Sequence, residues 1–464
     1  SPVVATNPVE MPPLAPQPVV CLPGYDGVRL PLQRSIMPTA MTWHDRNHLH
    51  FTSLKGHVYR AWDYDRDGIA DQLTLLVEGL AAPFGILADS TGNLLVAHKP
   101  EVLRLFDQSG DHDADRMEVL ATGWGYTDDY HDWTTGIVRD SEGWYYLGLG
   151  SDYAHKNRPA TESKHRGNIL RFNLDGELEP VATELRYPVG LAMTADDRLF
   201  VTDQQGVQNC FNEIDFIQPG KRYGVPAKLD KPTEVPAEVA AVQVPHPWTR
   251  SVNGLCVWPE ASGHPFAGHL IGAEYNTRFL IRASIQTVDG VTQGAVYPLS
   301  KPGETNGPEE LLGPICVTFS PDGDLYVGSI HDSGWLGGLN TGDIVRFRAN
   351  GELPNGIREI RATPDGFAIE FVHPVEASLA AKPDAYTISG YTRVWQGEYA
   401  TPDSARHNVT VKSAALSDDR RTVRLSLDGL KTGHVYDVAV GNIAGEKRLW
   451  PHTAVFTLHK VPSK

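Results

Sequence analysis

An internal repeat constrains this chain more than any other feature. "HVYRAWDYDRDGIADQLTLLVEGL" is followed by "EVLRLFDQSGDHDADRMEVLATGW", with Asp63 and Asp107 in register 44 residues apart. A period of roughly 40–50 residues is that of a four-stranded propeller blade. Five segments share a Gly-apolar or Pro-apolar start, a turn and a β-branched or aromatic run: "PFGILADSTGNLLVAH", "TTGIVRDSEGWYYLGLG", "PVGLAMTADDRLFVTD", "VNGLCVWPEASGHPFAGHLIGAE" and "PICVTFSPDGDLYVGS". Each reads as strand, tight turn, strand. The turns at Ser90–Asn93, Asp140–Gly143 and Pro321–Asp324 use residues that preset a hairpin or tolerate positive φ. With an opening unit at "MPTAMTWHDRNHLHFTS", the pattern predicts a six-bladed β-propeller over residues 30–353. Radial closure leaves few strand edges exposed.

Beyond Asn350 the blade spacing stops. "IREIRATPDGFAIEFVHPV", "DAYTISGYTRVW", "RTVRLSLDGL" and "HVYDVAVGNI" alternate apolar and polar residues, which predicts a small C-terminal β-sandwich over residues 354–464. The expected fold class is therefore all-β. Residues 1–29 hold seven prolines, from Pro2 to Pro23, and read as an extended linker from which a signal has been removed.

Composition narrows the partners. The chain carries 41 Lys and Arg against 57 Asp and Glu, a net charge of −16, with no basic tract that could track phosphates, which argues against nucleic acid. No apolar run approaches the ~20 residues of a membrane-spanning helix, and the expectation is a periplasmic or secreted protein. The four cysteines form no C-x-x-C pair, so neither a zinc knuckle nor covalent c-type haem is encoded. Cys256 and Cys316 sit in the matching apolar contexts "NGLCVW" and "GPICVT" and read as buried free thiols.

Two acidic loops recur with the repeat: Asp63, Asp65, Asp67 and Asp71 in one, and Asp107, Ser109, Asp111 and Asp115 in the other. Alternate oxygen donors of a tight loop suit a hard cation, and Ca²⁺ accepts such loose geometry best. The alternative is a pair of solvated acidic turns; if calcium binds, its expected role is structural.

In a propeller, the loops leading into each innermost strand and those joining second to third strands gather at one end. Read in order they supply Lys55, His98, Lys99, Tyr130, His131, Asp132, Trp133, Asp152, His155 and Lys156. Arg186, Asp203, Gln205, His246, Arg250, Glu274, Arg278, His331 and Asp332 follow. Cations concentrated there in an acidic chain suit an anionic ligand. In "YHDWTTG", His131 is a candidate base, Asp132 its orienting carboxylate and Trp133 a platform for a sugar face; the competing reading is a structural His beneath a core Trp.

At "DWTTGIVRDSEGWYYLGLGSD", "ELRYPVGLAMTADDRLFVTDQQG" and "NEIDFIQPGKRYGVP" the chain resembles soluble sugar dehydrogenases that use pyrroloquinoline quinone (PQQ), including the sorbosone dehydrogenase-like branch. "DYDRDGIAD" and "DQSGDHDAD" resemble loops in the propeller region of multidomain membrane-bound-dehydrogenase-type proteins of planctomycete-type bacteria. The resemblance implies a general base near His131, a quinone contact at Arg186 in "RYPVGL", and cofactor and calcium support at Gln205 and Gly206. His131 stands five residues before Gly136 where the family places its base three before, Tyr187 replaces the family's Asn, and Val207 replaces a Pro.

The leading expectation is a quinoprotein-type dehydrogenase that oxidises a sugar or sugar-derived alcohol or aldehyde. Arg186, Gln205, Gly206, Arg250, Arg278 and Lys99 would hold the quinone; with no C-x-x-C-H in this sequence, the electrons would pass to a separate cytochrome c or other acceptor protein, or to a removed domain. The alternatives are a lyase or hydrolase acting on acidic sugars, a non-catalytic carbohydrate- or protein-binding module, and a transition-metal enzyme using His98, His131, His246 or His331.

Overall fold

The computed structural model describes residues 1–12, 15–153, 157–206, 208–334 and 337–464. Among these the chain is all-β, with helical segments of four residues at most. Six antiparallel runs of four strands account for most of it. Each begins with an inner strand: Pro38–Trp43, Phe84–Ala88, Thr134–Arg139, Leu191–Met193, Val252–Val257 and Pro314–Phe319. Each inner strand touches the next and the sixth touches the first, so the units close into a ring. The inner strands together line a central channel of about 450 Å³.

The repeated glycine at the start of the inner strands has a steric cause. A Cβ on Gly85 would lie 2.2 Å from the Gly136 carbonyl oxygen, and one on Gly190 would lie 2.1 Å from that of Asn253. Neighbouring inner strands approach too closely for a side chain, which is why Gly recurs there.

The N-terminal stretch, expected to be an extended linker, is paired. Val3–Val9 adds an outer strand to the first unit, with Asn7 opposite Leu75. Tyr25–Arg29 supplies the fourth strand of the sixth unit, with Arg29 opposite Val345, and thus ties the start of the ring to its end.

Seven strands follow the ring, from Ile357–Thr363 to Thr453–Leu458. Ser404–Leu416 pairs through its first half with Tyr386–Thr392 and through its second with Thr422–Asp428, and so links the two halves of the C-terminal strands. The last strand pairs with Val291–Pro298 of the fifth unit, making one continuous eleven-stranded sheet. Phe367, Phe371, Tyr436 and Phe456 pack in one core with Ala295 and Tyr297 of that unit. Arg282, 0% exposed, locks the junction: its guanidinium donates to the carbonyls of Ile357 and Arg358 at 2.8 and 2.6 Å. It lies between the rings of Phe266 and Tyr297 at 3.8 and 4.3 Å, where burial lowers its pKa to about 10 and leaves it charged at neutral pH. All four cysteines are free, and no helix among the described residues is long and apolar enough to cross a membrane.

Candidate functional site

Of the residues expected to face the funnel, Tyr130, His131 and Trp133 meet at one end of the ring. They line a pocket of about 30 Å³ together with Tyr187, Gln204 and Asn253 among others, contributed by the third to sixth units. Trp133 stacks on Phe84 at 4.2 Å, and Tyr187 tilts against Trp133 at 5.6 Å. The loop before Thr134 reaches across the ring, where the Tyr130 hydroxyl donates to the Asp332 carboxylate of the sixth unit.

His131 lies on the pocket wall with its side chain half exposed. Its ring meets Tyr130 and Tyr187 edge-on, and its Nδ1 is 3.7 Å from Asp129 Oδ1. Asp132 does not orient it, a correction to the expected pairing. Asp132 is 1% exposed and turned inward, forming a bidentate pair with Arg158 (2.7 and 3.2 Å) and accepting from Thr127 N and Oγ1 at 2.7 and 2.8 Å. Burial works against its charge, but Arg158, Arg166 and Thr127 outweigh that and hold the carboxyl below its usual range. Its task is to anchor the loop that carries His131, and Asp129 is the carboxylate beside the imidazole.

The expected cofactor residues divide into two groups. Lys99 is buried, with its ammonium on the carbonyls of Thr127 and Asp129; Arg278 pairs with Glu310 at 3.1 Å. Neither offers a spare charge to the funnel. Arg186 and Arg250 form no side-chain ion pair among the described residues, and Arg250 is exposed. The buried Gln205 hydrogen-bonds through Nε2 to His246 Nδ1; among the described residues its Oε1 and the Tyr187 hydroxyl have no hydrogen-bond partner. Gly206, at φ +134°, lies against the Arg186 guanidinium, which a Cβ there would approach to 3.2 Å. His155, Lys156 and Val207 lie outside the described residues.

Three functional groups were not anticipated. Tyr399, from the loop after Thr392, leans over the funnel rim: its ring meets His246 edge-on at 5.6 Å, and its hydroxyl is 3.4 Å from the Arg250 carbonyl. Beneath Gln205, Glu213 and Asp215 join Asp203 in a carboxylate cluster whose oxygens lie within 4.8 Å of one another. Asp203 accepts from the amides of Arg186, Tyr187 and Gln204, yet burial pushes it up to about 6. Burial raises Glu213 and Asp215 well above the usual range. Such a set fits a hard dication. Alternate residues of the strand Asn212–Ile217 face one side, so "NEID" already carried the signal.

The acidic repeat loops lie at the opposite end of the ring. Asp63, Asp65 and Asp71 can present one oxygen each to a common point, and the buried Asp63 Oδ1 is unpartnered; Asp67 is instead bonded to the Ile69 amide. In the second loop Asp107 accepts from the amides of Gly110, Asp111 and His112, and Asp115 from those of Gln108 and Ser109. The Asp111 carboxylate accepts from Asp113 N. The four histidines of the transition-metal reading form no metal-capable group among the described residues. His98 is buried and accepts from the Ala81 amide, and burial lowers its pKa to about 4.

A family model described as a domain of unknown function (DUF7133) matches residues 38–333. The chain belongs to this family. The DUF7133 match spans the ring from its first inner strand to the Asp332 loop. No curated protein matches the chain. Among solved structures, it is similar to the holo pyranose dehydrogenase PQQ domain of Coprinopsis cinerea, with 12% identity over 73% of this chain and 98% of that one (TM-score 0.54). It is also similar to the apo soluble aldose sugar dehydrogenase of Escherichia coli, with 14% identity over 70% and 100% (TM-score 0.51). For the PQQ-bound aldose sugar dehydrogenase of Streptomyces coelicolor the identity is 16% over 69% and 98% (TM-score 0.50). At these identities the likeness shows the fold alone: the DUF7133 ring is folded as a β-propeller.

Proposed function

We propose that this DUF7133 member is an exported six-bladed propeller, residues 30–353, with a C-terminal sandwich, residues 354–464, and that its funnel oxidises a sugar or sugar-derived alcohol or aldehyde with bound PQQ. The observation that carries this reading is the convergence, at one end of a ring of that fold, of an aromatic-walled pocket holding His131 with polar groups that have spare capacity. Arg186, the Gln205 Oε1 and the Tyr187 hydroxyl are in that state. They fit the quinone's chemistry, since a guanidinium suits carboxylates and buried unpartnered oxygens await a donor or a cation. Lys99 and Arg278, already spent on protein partners, are dropped from the set. Arg186, Gln205, Gly206 and Arg250 would hold the cofactor, which supplies the two-electron oxidant when bound.

The chain's own residues do the rest. His131 takes the proton of the substrate hydroxyl, and the Asp129 carboxylate stabilises the imidazolium so formed. Trp133, Tyr130 and Tyr187 give the sugar an apolar face and exclude water. Ca²⁺ is assigned to the Asp63 loop as a structural ion, and a separate redox protein takes the electrons. The test is titration of apo-protein with PQQ and Ca²⁺, followed by absorbance. Stoichiometric binding, weakened about 10- to 100-fold in Arg186→Leu, supports the proposal; no binding at micromolar quinone defeats it.

A further inference from the structure

At the end of the ring away from the funnel, the first and second units meet over a cluster of imidazoles that the proposed reaction does not use. Asp45 lies in the turn between the strands Pro38–Trp43 and His48–Ser53, and His48 opens the second of them; His112 lies in the loop between Glu101–Phe106 and Arg116–Thr122. Asp45 Oδ1 is occupied by the amides of Asn47 and His48 at 2.7 and 2.9 Å. His48 Nδ1 lies 2.9 Å from both Asp45 oxygens, and His112 Nε2 lies 3.6 Å from Oδ2. We infer that Asp45, His48 and His112 form a binding site for a Zn²⁺-class transition-metal ion that staples the first unit of the ring to the second.

The spacing is that of a coordination shell. Ligand atoms about 2.0–2.1 Å from a tetrahedral zinc lie ~3.3 Å apart, between the two separations seen here. His48 is packed between Trp62, at 5.5 Å, and His112, whose ring lies nearly parallel to it at 4.0 Å, so sharing an ion requires the His112 ring to turn out of that stack. The amide of His112, a non-glycine residue at φ +65°, is held by Asp107 Oδ2 at 2.9 Å.

A second observation concerns the polar atoms beside these three residues. His50, 1% exposed, lines the adjoining pocket with His44 and His112, and its Nδ1 is buried without a hydrogen-bond partner. The buried Nδ1 of His112 also lacks one. That pocket, about 10 Å³, is near the least that holds one water, and His44 stands edge-on to His112 at 4.8 Å as the nearest further imidazole. Arg60, a cation near the cluster, is paired with Asp113 at 2.8 Å. Two imidazoles and a carboxylate favour zinc, copper or nickel over calcium, which separates this site from the acidic loops.

The experiment is calorimetric titration of the full chain with Zn²⁺ alone, repeated with Co²⁺ for its visible ligand-field bands and with melting curves with and without chelator. Wild type is expected to take up one Zn²⁺ and melt higher with it. His112→Ala, on a solvent-facing loop, and His48→Gln should each bind at least about 100-fold more weakly, because losing a ligand costs more than losing its supporting partner, and should lose the metal-dependent rise in melting. Asp65→Asn, in the acidic loop, should bind as wild type does. Wild-type binding no tighter than about 10 µM, or binding that survives both histidine substitutions, would overturn the assignment.

Discussion

Replacing Asp132 by Asn separates a scaffold role from a catalytic one. The substitution keeps the shape but removes the charge that faces Arg158 and Arg166, whose side chains are 4% and 0% exposed. Leaving buried guanidinium groups uncompensated costs about 3–5 kcal/mol. A ring of roughly 300 residues melts with about 2 cal/mol/K per residue, so the melting temperature should fall by about 5–8 °C at pH 7. The pH dependence has a definite sign. The Asp132 carboxyl is held below its usual range in the folded state, so its contribution is complete above the unfolded value of about 3.9 and is lost as pH falls through the folded one. The gap between wild type and variant should therefore be constant above about pH 5 and close below about pH 4. Scanning calorimetry across that range is the assay. A variant that melts within about 1 °C of wild type yet loses turnover would refute the reasoning and return Asp132 to the chemistry.

Three further outcomes are expected. Ca²⁺ should raise the melting temperature through the first acidic loop, so scanning fluorimetry against a chelator should show the rise lost in Asp63→Asn and kept in Asp111→Asn. Arg282→Leu, which strips the donors from the Ile357 and Arg358 carbonyls, should cost roughly 2–5 kcal/mol and expose the segment near Asn350 to limited proteolysis. Tyr399→Ala removes a half-exposed ring from the funnel rim and should weaken PQQ binding about 3- to 10-fold with melting unchanged; equal affinity would show that the C-terminal unit does not shape the site.

The ring was legible because its cause is local and repeated. Gly85 and Gly190 mark positions where adjacent inner strands leave no space for a Cβ, and the hairpin turns between first and second strands announce themselves by residue type. The site was legible only in outline. His131 and Asp132 are neighbours in sequence, which suggested that they act together, but they close a turn, in which the Asp132 amide bonds back to the Asp129 carbonyl and the Asp132 carboxylate faces inward. Asp132 found its partner 26 residues on, at Arg158. Lys99 and Arg278 looked like free cations because the groups that consume them, loop carbonyls and Glu310, are set by tertiary packing. Tyr399 lies in another unit altogether, and nothing in its local sequence points to the funnel. The N-terminal prolines concealed two strand pairings, since Pro suits edge positions as well as linkers.

The account's central claim is tested most directly by sugar-dependent dye reduction with protein loaded with PQQ and Ca²⁺, comparing wild type and His131→Asn over neutral and acidic sugars. The account predicts reduction by wild type with at least one sugar and a rate at least about 100-fold lower in the variant, with quinone binding unchanged. A quinone-loaded wild type that reduces no dye with any sugar, or a variant as fast as wild type, would contradict it.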